Sequence, residues 1–288
     1  QRGILRGYTE RNFANGCNLT MSVAYHQRTF VENYSATPFT WNKDVPNQYT
    51  ANTPLNELTK DLNNHDAFII DIKANYRPGI RYIQYPDKRL PVRSNWPLFS
   101  LQYTKAIPGI GQSSMQYDKL KLSISDVVSL KMAGSFDYIL HVGGFINKEQ
   151  ISFPDCFHIL GNQYNLTPSY SNTFQLAPYY LYSHAATSFA ELHLSYYLKG
   201  FLTNKIPLFN RLQWYLVTGV NALYIKEDQH YTEAFVGVDN LGWGLVRFLR
   251  IDYVQSRDAQ NHVNSGIRFG LNLNALSPNV APARKGEW

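Results

Sequence analysis

The feature that most constrains this chain is a period of two in its hydrophobicity, repeated along most of its length, with the charges kept to one phase. In Cys17–Phe30 the residues Cys17, Leu19, Met21, Val23 and Tyr25 share one face, and Asn18, Thr20, Ser22, His26 and Arg28 share the other. Successive side chains of an extended chain point to opposite sides, so this stretch is a strand with one apolar face. Phe68, Ile70, Ile72, Ala74 and Tyr76 alternate in the same way with Asp71, Lys73 and Asn75. Leu120, Leu122 and Ile124 alternate with Lys119, Lys121 and Ser123, and Phe136, Tyr138, Leu140 and Val142 with Asp137 and His141. Leu192, Leu194 and Tyr196 alternate with Glu191, His193 and Ser195. Val236 and Val238 face away from Glu233 and Asp239, Ile251 and Tyr253 from Arg250 and Asp252, and Ile267 and Phe269 from Arg268. Asp126 and Arg247 break the rule, each near an expected strand end. A Lys or Arg on the lipid face of a membrane strand costs about 2–4 kcal/mol at the bilayer midplane and much less near its edge.

Two all-β architectures carry such alternation, a soluble sandwich and a membrane barrel. Strand length and the apolar phase favour the barrel, because that phase is rich in Tyr and Trp, which settle at membrane–water boundaries. Charged residues are 17% of the chain, against about 25% in soluble domains. Connections alternate between long and short. Val31–Asn64 and Ile146–Asn172 are long, whereas the turn at Lys131–Gly134 is short. Outer-membrane barrels pair long extracellular loops with short periplasmic turns. The expected fold is therefore an all-β transmembrane antiparallel β-barrel with about ten to twelve strands, part of a larger barrel if strands precede Gln1. The barrel is expected over residues 1–276, as the C-terminal part of a longer precursor, with a tail over 277–288.

Several function classes are disfavoured. The net charge is +6, but the basic residues are scattered rather than clustered, so nucleic acid is not an expected partner. No Gly-rich phosphate loop, Walker motif or zinc motif appears, so no cofactor or metal is expected. Cys17 and Cys156 are too few for a disulfide framework, and a bridge between them stays open. Glu191, Glu233, Asp239, Arg250, Asp252 and Arg268 fall on the inner phase, where buried charges must pair, and form an expected lumen network. Phe153, Asp155, His158 and Asn162 belong to the densest polar–aromatic loop cluster. It reads as a loop plugging the lumen, or as a constriction or binding loop, and Asp155 with His158 does not define a metal site. His193 and Ser195 share a strand face and could serve a lipase, but their phase turns them inward.

A family resemblance rests on motifs in a fixed order. These are Tyr76-Arg77-Pro78-Gly79, then Phe153-Pro154-Asp155 through His158 to Gly161-Asn162-Gln163, and Asn204-Lys205-Ile206-Pro207-Leu208. Val238-Asp239-Asn240 and Leu249-Arg250-Ile251-Asp252-Tyr253-Val254 complete the series. The chain resembles the barrel of a Bacteroidota outer-membrane family of unassigned function, whose members carry a carboxypeptidase-regulatory-like domain ahead of it. That family is distantly similar to the BamA/TamA type of assembly barrel. Asp239 stands where Glu is frequent in the family. The resemblance implies a bacterial outer-membrane location and a non-enzymatic subunit of a larger assembly, secretion or uptake complex. Its partners would be the lipid bilayer and other outer-membrane proteins or lipoproteins. The alternatives are a phospholipase-like barrel using His193 and Ser195, and a passive pore.

Overall fold

A computed structural model describes residues 2–13, 15–29, 64–87, 89–92, 94–162, 164–167, 172–198, 205, 207–226, 229–243 and 246–271. Most of them form one sheet. Its long strands are β1 (Arg2–Asn12), β2 (Cys17–Arg28), β3 (His65–Tyr76), β6 (Leu98–Ile107), β7 (Gln116–Ser129), β8 (Ser135–Gln150), β10 (Phe189–Leu198), β11 (Tyr215–Ile225), β12 (Gln229–Trp243), β13 (Val246–Arg257) and β14 (Val263–Leu271). A small hairpin, β4 (Arg81–Gln84) with β5 (Arg89–Val92), and the two-residue β9 (Leu166–Thr167) complete the strands. The main sheet has 12 strands in the order β1-β2-β3-β6-β7-β8-β10-β11-β12-β13-β14-β9. All neighbours are antiparallel except β9, which lies parallel to β14. The single α-helix among the described residues is α1 (Pro207–Leu212).

The all-β expectation holds, and the strand number agrees with it. β1 and β14 are not paired with each other, so the sheet is open between them. Part of the β14 edge is occupied by β9, which pairs at Phe269 and Gly270. Sequence reading named no strand over Arg2–Asn12, because neither face of β1 carries the apolar alternation that marks the others. It also missed the β4–β5 hairpin and α1. The tail 277–288 and most of Val31–Asn64 lie outside the described residues.

Burial runs opposite to that of a soluble sheet. On β12, Tyr231, Glu233, Phe235, Gly237 and Asp239 are buried, while Thr232, Ala234 and Val236 between them are exposed. Along β13, Arg250 and Asp252 are 2% and 1% exposed, whereas Ile251 and Tyr253 are 39% and 50% exposed. The expected outward residues Leu122 and Val236 are exposed, and Leu140, Leu194 and Leu216 are half-buried. Several charges that fall on the outer phase lie near strand ends and are partnered there. The Tyr25 hydroxyl donates to Asp66 at 2.6 Å. Asp118 accepts from Tyr103 at 2.6 Å and from Lys105 at 2.9 Å.

The core lies on the inner face, where the segment 151–188 between β8 and β10 folds against the sheet. Phe157, Ile159, Phe174, Ala177 and Ala186 of that segment form one buried cluster with Ala67, Ala106, Tyr117, Phe145, Phe189, Leu223 and Tyr231 of the strands. That cluster reaches from β3 to β12, so the sheet curls around the segment. Gly144 permits the close return, since a Cβ there would meet the Thr187 carbonyl oxygen at 1.9 Å. At the other end of the sheet, β7 and β8 join through a 3-10 turn, Lys131–Ala133, closed by Gly134 at φ 113°. The strand ends that flank both long connections, Arg28 with His65 and Gln150 with Phe189, all sit opposite that turn.

Candidate functional site

The inner face and the inserted segment together hold nearly all the buried polar chemistry of the described residues. Three groups of wall residues grip the segment.

The first grip is at Asp155, in the 3-10 turn Phe153–Asp155. Its carboxylate is 2% exposed and accepts two hydrogen bonds from the Arg28 guanidinium, both 2.8 Å. Tyr117 Oη donates to it at 2.8 Å, and Lys119 Nζ donates to the Asp155 carbonyl at 2.8 Å. The Lys119 ammonium also lies over the rings of Tyr117, Phe145 and Phe157. Burial by itself would raise the Asp155 carboxyl, but the hydrogen bonds and charge of Arg28, with the Tyr117 hydroxyl, hold it below the ordinary carboxylate range.

The second grip is on the backbone around Gln175. Glu233, 1% exposed, accepts from the amides of Gln175 and Leu176 at 2.7 Å each. It also accepts from Tyr231 Oη at 2.8 Å and from Asn221 Nδ2 at 3.2 Å. From β14, Arg268 Nε donates to the Gln175 carbonyl at 2.6 Å, and its Nη1 to Asn165 Oδ1 at 3.0 Å. Asn162 turns the chain: its Oδ1 accepts from the Tyr164 amide at 3.0 Å, and its Nδ2 donates to Thr167 at 3.4 Å.

The third grip is a polar row across β8, β10 and β11. His193 contacts Glu191 through Nε2 at 2.9 Å and Asn221 through Nδ1 at 3.0 Å. The Phe174 ring packs 4.9 Å from the His193 ring, centroid to centroid. His141 bridges Ser123 and Asn172, each at 2.7 Å.

The expected lumen residues lie on one face, and Glu191 and Glu233 are joined there through His193 and Asn221. Glu191, Glu233 and Arg268 belong to the grips on the segment. Arg250 and Asp252 form a buried pair at 2.8 Å, and Arg250 donates to Tyr197 Oη at 3.2 Å. Gly237 makes room for that pair, because a Cβ there would meet Asp252 Oδ1 at 1.9 Å. Asp239 caps the irregularity in β12, accepting from the Asn240 amide at 2.7 Å. Of the loop residues, Asp155 and Asn162 are buried and anchor the segment. Phe153 and His158 stack with each other and with Tyr180 in edge-on contacts. Asp155 and His158 do not converge on one point, since His158 Nδ1 is directed at Ser183 Oγ at 2.9 Å. Cys156 and Cys17 are both free; Cys17 begins β2, whose other end carries Arg28, the partner of the residue next to Cys156.

Sequence reading missed Arg28, Tyr117 and Lys119 as partners of the loop, and Asn221 as the link between His193 and Glu233. Their phase marks them as inward, but nothing local ties Arg28 to a residue 127 positions away. Arg250→Leu is expected to lower stability by about 3–5 kcal/mol, because it strands the buried Asp252 carboxylate. Arg247→Leu, near the start of β13 and bonded to Gln213 Oε1, should cost less than about 1 kcal/mol. The midpoint of loss of the folded, fast-migrating band on heating in a gel measures both, and equal midpoints would refute the difference in burial.

The "Family of unknown function (DUF5686) C-terminal domain" matches residues 1–238. The chain belongs to this family. Comparison with proteins of curated function finds no match. Parts of the motifs that carry the sequence resemblance lie against the inner face. The Phe153–His158 stretch forms the first grip on the wall, and Asn162 orders the second. Arg77 is buried at the end of β3.

Proposed function

We propose that the sheet is the wall of a β-barrel in the bacterial outer membrane, with residues 151–188 as a plug held inside it. In this reading the protein is a non-enzymatic subunit of a larger assembly, secretion or uptake complex. The observation that carries the proposal is the inverted burial: carboxylates and guanidinia inside, Leu, Ile, Val and Phe outside. In water this arrangement forgoes the burial of apolar surface at roughly 25 cal/mol per Å². In hydrocarbon it is the arrangement that satisfies every strand. The collar of Tyr25–Asp66 and Tyr103–Asp118–Lys105 at the strand ends fits the polar boundary of a bilayer. Closure requires the open edges of β1 and β14 to be paired, because an unpaired ladder cannot face lipid.

The two alternatives have specific geometry against them. A lipase would need His193 to take a proton from Ser195, but both ring nitrogens of His193 are committed to Glu191 and Asn221. A passive pore would need a clear lumen, and the segment 151–188 packs across the inner face of the strands from β3 to β12. Orientation follows the connections, with the plug entrance extracellular and the Lys131–Ala133 turn periplasmic.

Outward charge is the test of the membrane wall. Ile251→Lys should destabilise the detergent- or lipid-folded protein by about 2–4 kcal/mol. On a water-facing strand the same change at a half-exposed site would be near neutral. A folded midpoint unchanged by Ile251→Lys would rule out lipid contact at this position. Isolation of the native complex in mild detergent, with identification of co-migrating proteins, tests the subunit role, and a chain that migrates alone would contradict it.

A further inference from the structure

The inner face is electrically divided. The acidic residues Glu191, Glu233, Asp239 and Asp252 line β10 to β13, while the inserted segment packs on strands from β3 to β12 and is held at Asp155 by Arg28 of β2. On β1 to β7 the inward cations Arg6, Lys73 and Lys121 outweigh the inward carboxylates Glu10 and Asp71, with Arg28 and Lys119 already engaged by Asp155. A polar cavity of about 300 Å³ opens on this half, lined by Arg6, Tyr8, Glu10, Asn18, Thr20, Lys73 and Asn75. At roughly 30 Å³ per water it has room for several waters or a small solute.

We propose that this cavity binds a small oxyanion, a phosphate or carboxylate, between Arg6 and Lys73, with Lys121 supporting it from the next inward position. Arg6 sits on β1 opposite Ala24, and Lys73 sits on β3 opposite Thr20. Both point into the same cavity. Lys73, Gln102 and Lys121 are consecutive partners across β3, β6 and β7. Two strand spacings separate the lysine backbones, roughly 10 Å, a gap two flexible ammonium arms can close around one anion. Neither lysine forms an ion pair or hydrogen bond among the described residues. Arg6 spends one nitrogen on Ser22 Oγ at 3.3 Å. The two carboxylates on this face are engaged by neutral donors. Asp71 accepts from Gln102 at 2.7 Å and Thr104 at 2.6 Å, and Glu10 accepts from Asn18 at 2.6 Å. Lys73 and the remaining Arg6 nitrogens therefore have donors free to offer an external anion, beside the charge of Glu10 in the lining, and the inward facing of the cavity favours a solute over a lipid headgroup. Arg6 and Lys73 are exposed, so their charge-assisted hydrogen bonds to an oxyanion, stronger than neutral ones, are expected to weaken as salt rises.

The inference rests on reading this face as a lumen wall. The test uses the full chain folded in a zwitterionic detergent at low salt, titrated calorimetrically with inorganic phosphate. Saturable binding is expected. Lys73→Gln and Arg6→Gln should each weaken it about tenfold, and Lys73→Arg should retain most of it. Lys105→Gln, on the outer face and paired with Asp118, should leave it unchanged. Heat-modifiable gel migration confirms that each variant is folded, and Lys121→Gln supplies a second inward variant if one fails. Absence of saturable phosphate binding in the unaltered protein, or equal weakening by Lys105→Gln and Lys73→Gln, would overturn the site. Failure of the membrane reading is separable, because it shows as a protein that stays dispersed and folded without detergent, whatever the titration gives.

Discussion

Glu233→Ala is expected to release the plug from the wall and to lower stability by about 4–5 kcal/mol, at the upper end of single-substitution effects. One carboxylate here accepts four hydrogen bonds, two of them from the backbone amides of Gln175 and Leu176. Deleting it leaves those amides, the Tyr231 hydroxyl and the Asn221 amide without their acceptor in a site closed to water. Each stranded donor costs about 1–3 kcal/mol, so partial relaxation still leaves a large loss. Glu233→Gln keeps the shape but points an NH2 group at an amide donor, and should cost about half as much. The gel-shift midpoint reports the stability. Limited proteolysis of the folded protein reports the plug, with new cleavage expected within 172–188 while the wall strands stay protected. An unchanged cleavage pattern in Glu233→Ala would show that the second grip does not hold the segment.

Arg28→Ala should cost about 3–5 kcal/mol near neutral pH, because Asp155 would remain buried with its charge unpaired. Arg28→Ala combined with Asp155→Ala should cost less than the sum of the two single changes. The same pair gives the protein an acid response of definite sign. Asp155 is depressed in the folded protein relative to its ordinary value of 3.8. Its stabilising contribution is therefore fully present above that ordinary value and is lost as pH falls through the depressed folded value. Protease cleavage next to the 3-10 turn, followed from pH 6 downward, should rise only below about pH 4. The acid step should be missing in Arg28→Ala. A protection that falls between pH 7 and pH 5, where Asp155 does not change charge, would refute the assignment.

Much of the wall was legible in the sequence because its information is local. A strand needs only its own residues to declare two faces, so β2, β7, β10, β12, β13 and β14 could be read one at a time. The facing of Glu233, Arg250 and Asp252 followed from the same period. β1 escaped notice for the complementary reason. Its inward Arg6, Tyr8 and Glu10 and its outward Gly7, Thr9 and Arg11 are both polar enough to hide the period. The helix α1 is only six residues long, shorter than the window in which a helical period can be seen.

Alternation in the sequence determined which side chains face in and which face out, because side-chain direction along a strand depends on nothing beyond parity. It also marked Phe153, Asp155, His158 and Asn162 as a loop unlike the others. Only the tertiary structure decided what those inward groups do for one another. Arg28 and Asp155 meet across 127 positions of sequence, and Glu233 reaches Gln175 across 58. Such pairings depend on how far the sheet curls and where the segment returns to it at Gly144. Partners set by curvature and chain return leave no periodic trace, and the same phase is compatible with many of them. That Arg28 and Lys119 are engaged by Asp155 while Arg6 and Lys73 stay exposed was settled there too, by where the chain around Asp155 came to rest on the sheet.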